Sequence, residues 1–455
     1  MRHNFCMIWA KILSSMILKN KHTILILCLF AIGATANGQG QQWTLKQCLD
    51  YAHSNNIQIR QADLRIQESE LNKKQSVASL FPSVTASTSV GLNRQNVRNS
   101  MNEYMSDNTV NARYNVGANL RLFNGLKQYN SIKQNELNVQ IQEVEKENTV
   151  FNTDLSIIRS YMQIAYLKES VTALEGSVAS SKAQLDLSEQ KLKAGAISQS
   201  DHAQVEAQYS RDRYQLVLGE NQLREQVLQL KQLLELGISD NIDIVAVPVN
   251  EDDILAALPD KQFIYDRALQ NLPSARQQQL NVESAELDRK IATGGYFPSL
   301  SLSASVGTGN WFDSDESFSN QISDNLNESV SLSLSIPIFN GLQTRTNVQK
   351  AQLNRQNAAL NKTAMEKELL STIEGLYNDA MAAQSQYSQA LLQLKAAETS
   401  HDLIKEQYKL GLKSAVELVV SDNNLLNATQ TMLQTKYTAA LAVKLLQYYQ
   451  GNPIE

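Results

Sequence analysis

Four short segments of the chain alternate apolar and polar side chains, and a period of two is typical of a β-strand with one face buried. These segments are residues 84–92, 115–123, 300–306 and 330–338. In each segment one set of alternate positions is mostly Val, Leu, Ile or Ala, and the other set is mostly Ser, Thr, Gly or Asn. The pattern predicts a sheet with one apolar face and one polar face.

The segments around the strands predict very long helices. They are rich in Leu, Ala, Gln, Glu and Lys, with apolar residues spaced by three and four. Residues 126–193 contain no proline, and as one helix they would reach about 100 Å. Residues 43–79 and 198–236 are each about half as long and could stack end to end beside that helix. Such lengths exceed a globular domain and predict a coiled-coil-like cylinder or a rod.

Three short motifs recur at one constant offset of 216 residues. One offset for three motifs is difficult to obtain by chance, so the chain is interpreted as two copies of one unit. The recurring pairs are Phe81-Pro-Ser83 with Phe297-Pro-Ser299, Phe123-Asn-Gly125 with Phe339-Asn-Gly341, and Lys193-Ala-Gly195 with Lys409-Leu-Gly411.

The two units are predicted to cover residues 43–236 and 259–450. Each would consist of a helix, two strands, a very long helix, a tight turn and a final helix, with the turns near residues 195 and 411. The linker, residues 237–258, differs in composition from both units. It predicts a small connecting element on the outside of the assembly, with a short strand at 242–247 and a short helix from Glu251.

The N-terminal residues 1–36 are predicted to be a secretory signal peptide. A basic approach at 19–22 precedes an apolar run from Thr23 to Ala34, which is too short to span a bilayer. Small residues at 34–36 offer a cleavage site, with 36–38 as an alternative, and translation could start at Met1 or Met16. Removal of this segment takes Cys6 and Cys28 with it and leaves Cys48 alone, so neither an intrachain disulfide nor a thiolate metal cluster is expected.

The alternating strands fit either a sheet packed on a soluble core or a sheet in a membrane. Their length of about nine residues suits a tilted membrane strand, and the joining segments 93–114 and 307–329 are long and polar. Aromatic residues cluster at both strand ends, as in interfacial girdles. The aromatic residues are Phe81, Phe123, Tyr296, Phe297 and Phe339 at one end, and Tyr104, Tyr114, Trp311 and Phe312 near the other.

Four strands are too few to close a barrel, and open sheet edges are not tolerated in lipid, so other chains would have to supply strands. Two chains would give eight strands, and an eight-stranded barrel is filled by its own side chains. A conduit therefore favours three chains. The mean hydropathy of −0.32 argues against a bundle of membrane helices.

Composition and motifs indicate neither an enzyme nor a nucleic-acid-binding protein. The net charge is −5 and the pI about 5.7, which gives no global basic field. The histidines His53, His202 and His401 lack metal-ligand spacing. The Gly307-Thr-Gly309 segment lacks the context of a nucleotide-binding loop, and no nucleophile motif stands out. No cofactor or metal is therefore expected.

The tandem repeat, the Phe-Pro-Ser and Phe-Asn-Gly motifs, and the turn segments 193–198 and 409–414 resemble the TolC family of outer-membrane efflux and export channels. The resemblance covers nearly all of the mature chain. It implies an α+β membrane protein that forms a homotrimer, with four transmembrane β-strands per protomer, a twelve-stranded β-barrel in the outer membrane, and a long coiled-coil α-helical tunnel through the periplasm.

The resemblance also implies the partners and the activity. The tunnel would dock to a periplasmic adaptor protein and an inner-membrane transporter, and cargo from an efflux or type I secretion system would pass passively across the outer membrane. The alternative is a periplasmic coiled-coil adaptor or a surface structural protein. Adaptors usually carry a lipoyl-like domain and a single hairpin, without paired strands. The sequence does not identify the cargo, the pump or the adaptor.

The resemblance implies two sets of site residues at the helical turns. The two turns would contact the adaptor protein. The glycines in the turns also have a local interpretation as helix C-caps. In the family, acidic residues just after the second turn line the narrowest point. Here the matching position is Glu417, and the next family position holds Val420. Asp422 lies nearby and could substitute at the constriction only if its face turns inward. Asp201 is the equivalent of Glu417 in the first repeat. Both acids also fit a Ser-x-x-acid capping box, which is the competing interpretation. The turn residues are Lys193, Gly195, Ser198, Lys409, Gly411 and Ser414.

Overall fold

A computed structural model describes residues 42–98, 104–245 and 249–452 of the chain. The predicted signal peptide lies outside these residues. The first half of the chain consists of β1 (Gln42–Trp43), α1 (Leu45–Asn55), α2 (Ile57–Ala78), β2 (Ser83–Arg98), β3 (Tyr104–Phe123), α3 (Lys127–Lys193) and α4 (Gln199–Leu233).

The linker and the second half follow the same order of elements. The linker holds β4 (Asp243–Ile244) and α5 (Glu251–Leu255). The second half consists of α6 (Lys261–Asn271), α7 (Pro273–Thr293), a 3₁₀ turn (Gly294–Tyr296), β5 (Ser299–Trp311), α8 (Phe318–Asp324), β6 (Asn327–Ser335), α9 (Gln343–Lys409) and α10 (Ala415–Tyr449).

The two halves match in length and in local backbone conformation. Helices α3 and α9 both have 67 residues, and α4 and α10 both have 35, so each long helix extends about 100 Å. Both long helices begin after a left-handed pair, Gly125-Leu126 and Gly341-Leu342, in which every φ is positive. The glycine of the Phe-Asn-Gly motif thus allows the chain to leave the sheet and enter the helix.

The helical segment that precedes the strands in each repeat is divided into two helices. In the first repeat Asn56 is extended, and its side chain accepts hydrogen bonds from the backbone N–H groups of Gln58 and Ile59, which starts α2. In the second repeat the break falls at Leu272, because Pro273 follows it and has no backbone N–H to continue α6. The amphipathic spacing alone did not separate these helices.

The main hydrophobic core lies midway along the long helices, where the linker packs against them. Strands β1 and β4 pair in parallel, and the buried Tyr161 hydroxyl donates to the Val245 carbonyl at 2.7 Å and lies 3.1 Å from the Trp43 carbonyl oxygen. Cys48 is fully buried in the same core, and burial raises the pKa of its thiol to about 12. The linker is therefore packed onto the helices at their middle.

Strands β2, β3, β5 and β6 form one antiparallel sheet in that order. The two repeats join through β3 and β5, which leaves β2 and β6 as the edge strands. The register pairs odd-numbered residues with odd-numbered residues across most of the sheet, as in Ser83 with Asn119 and Ser303 with Ser331. The polar side chains of the strands therefore share one face.

The first hairpin is longer than the alternation of the sequence indicated. Strands β2 and β3 extend through most of the segment 93–114, which was expected to be a loop. Beyond Leu92 both faces carry polar residues, and a backbone ladder does not need apolar alternation where both faces contact water. In the second hairpin, α8 occupies part of the segment 307–329, and β6 ends at Ser335, before Pro337, which lacks a ladder donor.

Most of the apolar face of the sheet is uncovered, except at its far end, where Ala112 and Asn310 are buried and α8 contacts the sheet. On β6 the side chains of Val330, Leu332 and Leu334 are 77%, 63% and 61% exposed, and Val84 and Leu92 on β2 are similarly exposed. A face of this kind in water would be an aggregation site, whereas lipid solvates it. Among the described residues, no helix is both long enough and apolar enough to cross a bilayer.

We expect the substitutions Leu334→Arg and Ser333→Arg to differ strongly, although the residues are adjacent. Arginine at Leu334 places a charge on the apolar face and should cost about 2–4 kcal/mol near the middle of a bilayer. Arginine at Ser333 lies on the polar face and should cost much less. Urea unfolding of the protein refolded into lipid vesicles measures both costs, and equal losses would refute the assignment of the faces.

Candidate functional site at the helical turns

The turns that close the two long hairpins have the same backbone geometry. Gly195 and Gly411 have φ of +69° and +75°, which a β-branched residue adopts only with strain. The Ala196 N–H donates to the Lys191 carbonyl at 2.8 Å, and the Leu412 N–H donates to the Gln407 carbonyl at 2.9 Å. These bonds close the ends of α3 and α9 in Schellman motifs, so both glycines are required locally for the reversal.

The acidic residues after the turns cap the next helices. The Asp201 N–H donates to Ser198 Oγ at 3.1 Å, and the Asp201 carboxylate accepts from the Ser198 N–H at 3.2 Å. Ser414 and Glu417 form the same reciprocal pair, at 3.3 Å and 3.0 Å. Both are capping boxes, so the local explanation of these residues that the sequence left open is present in the structure.

Glu417 is also held by a lysine of its own chain. Its carboxylate forms an ion pair with Lys413, four residues before it. The hydrogen bond from Lys413 and those from Ser414 lower the pKa of Glu417 to about 2. Glu417 therefore stays ionised across the physiological pH range while its side chain remains partly exposed.

The two turns of one chain lie side by side. Lys191 Nζ lies 4.4 Å from the centre of the Tyr408 ring and donates to the Tyr408 carbonyl at 3.3 Å. Beneath them Val205, Ala415 and Leu418 are buried together with Tyr408. Lys193 and Lys409, the last residues of α3 and α9, pair with Glu189 and Glu406 of their own helices. The turn residues thus form one end of the hairpin bundle.

The condition for a role of Asp422 beside Glu417, a side chain turned toward the constriction, is not met within one chain. Its side chain is 12% exposed. His401 Nε2 lies 2.9 Å from its Oδ1, and Gln184 Nε2 donates to the same oxygen at 3.3 Å. Because α10 turns this carboxylate toward α3 and α9, Asp422 belongs to the interior of the bundle and does not join Glu417 at the turn.

Asp422 is part of a buried polar layer that links both hairpins. Besides His401 and Gln184, the layer contains Asp212 and Gln208 of α4 and Asn423 of α10. Gln208 Nε2 donates to Asp212 Oδ1 at 2.8 Å, and Asn423 Nδ2 donates to Gln208 Oε1 at 3.1 Å. All four helices, α3, α4, α9 and α10, therefore contribute to the polar layer.

The polar layer borders a cavity of about 230 Å³. Asp212, His401 and Asp422 line it together with serine hydroxyls of α3. Among the described residues, no group of three or more His, Cys, Asp or Glu side chains is arranged to hold a metal ion. In addition, Asp422 Oδ2 and Gln184 Oε1 are buried without a hydrogen-bond partner in this part of the chain. The layer is therefore under-satisfied.

Burial raises the pKa of both carboxyl groups in the polar layer. For Asp422, burial outweighs the hydrogen bonds from Gln184 and His401, which act in the opposite direction. For Asp212, burial outweighs the bonds from Ser181 and Gln208, and the charge of Asp422 adds to the increase. The charge of Asp422 thus disfavours ionisation of Asp212 inside the bundle.

Sequence reasoning missed most of the polar layer. His401 and Asp422 are 21 residues apart on different helices, and Gln184 and Asp212 belong to the other hairpin. Polar residues are abundant in these helices, so the polar identity of these residues gave no signal. The one available signal was their position near the ends of the hairpins.

We expect Asp422→Asn to be tolerated at neutral pH and Asp422→Ala to be destabilising. Asparagine can still accept the hydrogen bonds from His401 and Gln184 and removes a buried charge, whereas alanine leaves both donors unsatisfied at about 1–3 kcal/mol. Thermal unfolding followed by the helical circular dichroism of the detergent-solubilised protein gives the order of the midpoints. A midpoint for the asparagine variant as low as that of the alanine variant would show that the charge pair with His401 outweighs burial.

The difference in stability between Asp422→Asn and the unsubstituted protein should depend on pH, and the raised pKa of Asp422 sets the sign of that dependence. Folding raises the pKa of Asp422, so the folded state holds this proton to a higher pH than the unfolded chain. Its contribution to stability is therefore most favourable below the ordinary aspartate pKa and is lost as the pH rises through the raised pKa. The advantage of Asp422→Asn over the unsubstituted protein should be largest at neutral pH and should shrink as the pH is lowered.

Comparison with known proteins places this architecture in a family. A family model described as outer membrane efflux protein matches residues 48–235 and 264–452. Its two matched segments correspond to the two repeats and together cover most of the chain.

Individual relatives are distant in sequence. The chain is 25% identical over 357 residues to the outer membrane protein TolC of Escherichia coli, which covers 74% of this chain and 69% of that protein. It is 20% identical over 399 residues to the outer membrane efflux protein BepC of Brucella suis, which covers 88% and 83%.

Solved structures share the fold. The crystal structure of CusC superposes with a TM-score of 0.75 at 17% identity over 92% of this chain and 96% of that chain. The outer membrane protein VceC of Vibrio cholerae superposes with a TM-score of 0.73 at 15% identity over 90% and 97%. The chain therefore belongs to the outer membrane efflux protein family and is an outer-membrane channel component of efflux or secretion.

Proposed function

We propose that three copies of this chain form one exit duct, with a twelve-stranded barrel in the outer membrane and a helical tunnel beneath it. The observation that carries this proposal is the sheet with two open edges, β2 and β6, and one uncovered apolar face. Lipid solvates the apolar face but cannot satisfy the backbone groups of the edges. Pairing of β6 of one protomer with β2 of the next satisfies them.

Three protomers are favoured because the duct has to conduct. Eight strands from two protomers would enclose an interior filled by their own side chains, whereas twelve strands leave an open lumen. The polar face then lines the lumen. Serine is frequent on it, and cross-strand contacts such as Ser303 Oγ to Ser331 Oγ at 2.7 Å satisfy the hydroxyl groups locally.

The helical turns form the proposed periplasmic mouth. Threefold symmetry places three copies of each turn around one axis. The exposed turn residues Lys193, Ser198, Lys409 and Ser414, with the glycines between them, are the proposed contact surface for a periplasmic adaptor protein that connects the duct to an inner-membrane transporter. Family members are channels, and transport through this chain is proposed to be passive, with the energy supplied by the transporter.

Glu417 is the proposed acidic lining of this mouth, with Asp201 as its counterpart in the first repeat. Its low pKa keeps the charge present at every physiological pH, and three copies around the axis would favour cations there. Asp422 is not part of this proposal, because its carboxylate is buried against His401 and Gln184.

The proposal is tested by single-channel recording of the purified protein in planar bilayers. We expect discrete conductance steps with a preference for cations, and a weaker preference for Glu417→Gln, which keeps an acceptor for the capping box but loses the charge. The matched control is Ser414→Ala, which keeps the charge but loses the cap at about 0.5–2 kcal/mol of helix stability.

The possible results separate the two roles of Glu417. A change of selectivity in Glu417→Gln but not in Ser414→Ala supports an acidic lining. Unchanged selectivity in both variants leaves Glu417 as a helix cap and contradicts the lining. Absence of any conductance from correctly inserted protein would contradict the duct itself.

A further inference from the structure

A recess of about 600 Å³ opens on the polar face of the sheet, between β3, β5 and β6. It lies toward the α8 end of the strands, away from the long helices. One arginine, several amide side chains and serine hydroxyls line it. The lining residues that carry the argument are Asn111, Arg113, Asn115, Ser305, Asn327 and Ser329.

Two glycines keep the recess open. Gly307 and Gly309 pair with Asn115 and Arg113 on β3, so side chains at these positions would stand on the polar face. A Cβ at Gly309 would lie 2.6 Å from the Ala112 carbonyl oxygen, and one at Gly307 would lie 3.2 Å from Asn115 Oδ1. The close strand approach therefore excludes a side chain at Gly309, and the space between Arg113 and β6 stays unfilled.

Arg113 is positioned by its neighbours rather than neutralised by them. Asn111 can pair with both neighbours only in the amide orientation in which its oxygen accepts from Arg113 Nε at 3.3 Å and its nitrogen donates to the Gly91 carbonyl at 3.1 Å, and we assign that orientation on this ground. This contact uses the Nε–H and leaves the terminal amino groups of the guanidinium for another partner. Within the described part of the chain, Arg113 forms no ion pair with a carboxylate.

The charge and the donors around the recess match one class of ligand. Among the residues that the structure describes, no carboxylate lines it. A carboxylate lies beyond its end: Asp313 Oδ1 accepts from the Val110 N–H at 3.2 Å, three residues from Arg113, and three residues along a strand correspond to about 10 Å. A guanidinium binds carboxylate or phosphate oxygens through paired N–H donors, and the neighbouring amides and hydroxyls can bind further oxygens of the same solute.

We propose that this recess binds small, multiply charged organic oxyanions and is a resting site for anionic cargo on the wall of the barrel. Its position inside a lumen rests on the proposed trimeric duct. The binding itself does not, because every residue that lines the recess belongs to one chain. The recess thus gives the duct a preference for anionic solutes at the barrel, separate from the acidic residues at the helical turns.

The test is isothermal titration calorimetry of the full-length, detergent-solubilised protein at low ionic strength, with citrate as the anionic probe and sucrose as a neutral probe of similar hydrogen-bonding capacity. We expect one citrate per chain, weakening with added salt, and no heat from sucrose. Arg113→Gln should weaken citrate binding at least tenfold.

The matched control is Arg121→Gln. Arg121 lies on the same polar face, opposite Ser301, eight residues from Arg113 and outside the recess, so this variant should bind citrate within twofold of the unsubstituted protein. Equal weakening by both substitutions would overturn the site and leave a diffuse cationic field. Absence of citrate binding to the unsubstituted protein would overturn the proposal. Light scattering on the same sample shows whether the protein is trimeric, so failure of the trimer and failure of the recess are distinguished.

Discussion

A strand at the edge of a sheet exposes backbone N–H and C=O groups that need partners, and in lipid no water can supply them. This chain has two such edges, β2 and β6, in a sheet whose apolar face is exposed along most of its length. Satisfying both edges requires further strands, and copies of the same chain provide them without a second protein. The tandem repeat contributes to the same end, since each copy supplies one hairpin and the two hairpins join at β3 and β5. The number of chains, the outward apolar face and the polar lumen all depend on how these two edges are paired.

The helical part of the molecule meets a different constraint, because it stands in water and has to stay both long and hollow. Its hydrophobic core is concentrated midway along the long helices, where the paired strands β1 and β4 pack beside Tyr161 of α3. Between this core and the apolar cluster beneath the turns the packing is polar, with Asp212, Gln208, Asp422 and His401 between the hairpins. Such a layer contributes less stability than an apolar one, since burial raises the pKa of both carboxyl groups. It also links the two hairpins directly, through the hydrogen bonds from Gln184 to Asp422 and from Asn423 to Gln208.

The sequence predicted the parts of this structure that local chemistry determines. The alternation in 84–92 and 330–338 identified the strands, because the spacing of apolar residues is a local property of the sequence. Gly195 and Gly411 identified the turns, because the positive φ that ends a helix favours glycine locally. The extension of β2 and β3 beyond the apolar alternation was not predictable in the same way, since polar residues on both faces of a hairpin look like a loop. The capping role of Glu417 was visible in its spacing from Ser414, whereas the burial of Asp422 depends on helices from both repeats. The recess at Arg113 could not be predicted either, because it results from Gly307 and Gly309 lying opposite β3.

The central claim is that three chains complete one barrel, and the molar mass of the detergent-solubilised particle tests it most directly. Light scattering combined with absorbance and refractive index separates the protein mass from the detergent mass. The account predicts a single species with three times the mass of the mature chain, resistant to dilution because its sheet edges are paired. A monodisperse particle that contains one chain or two would contradict it.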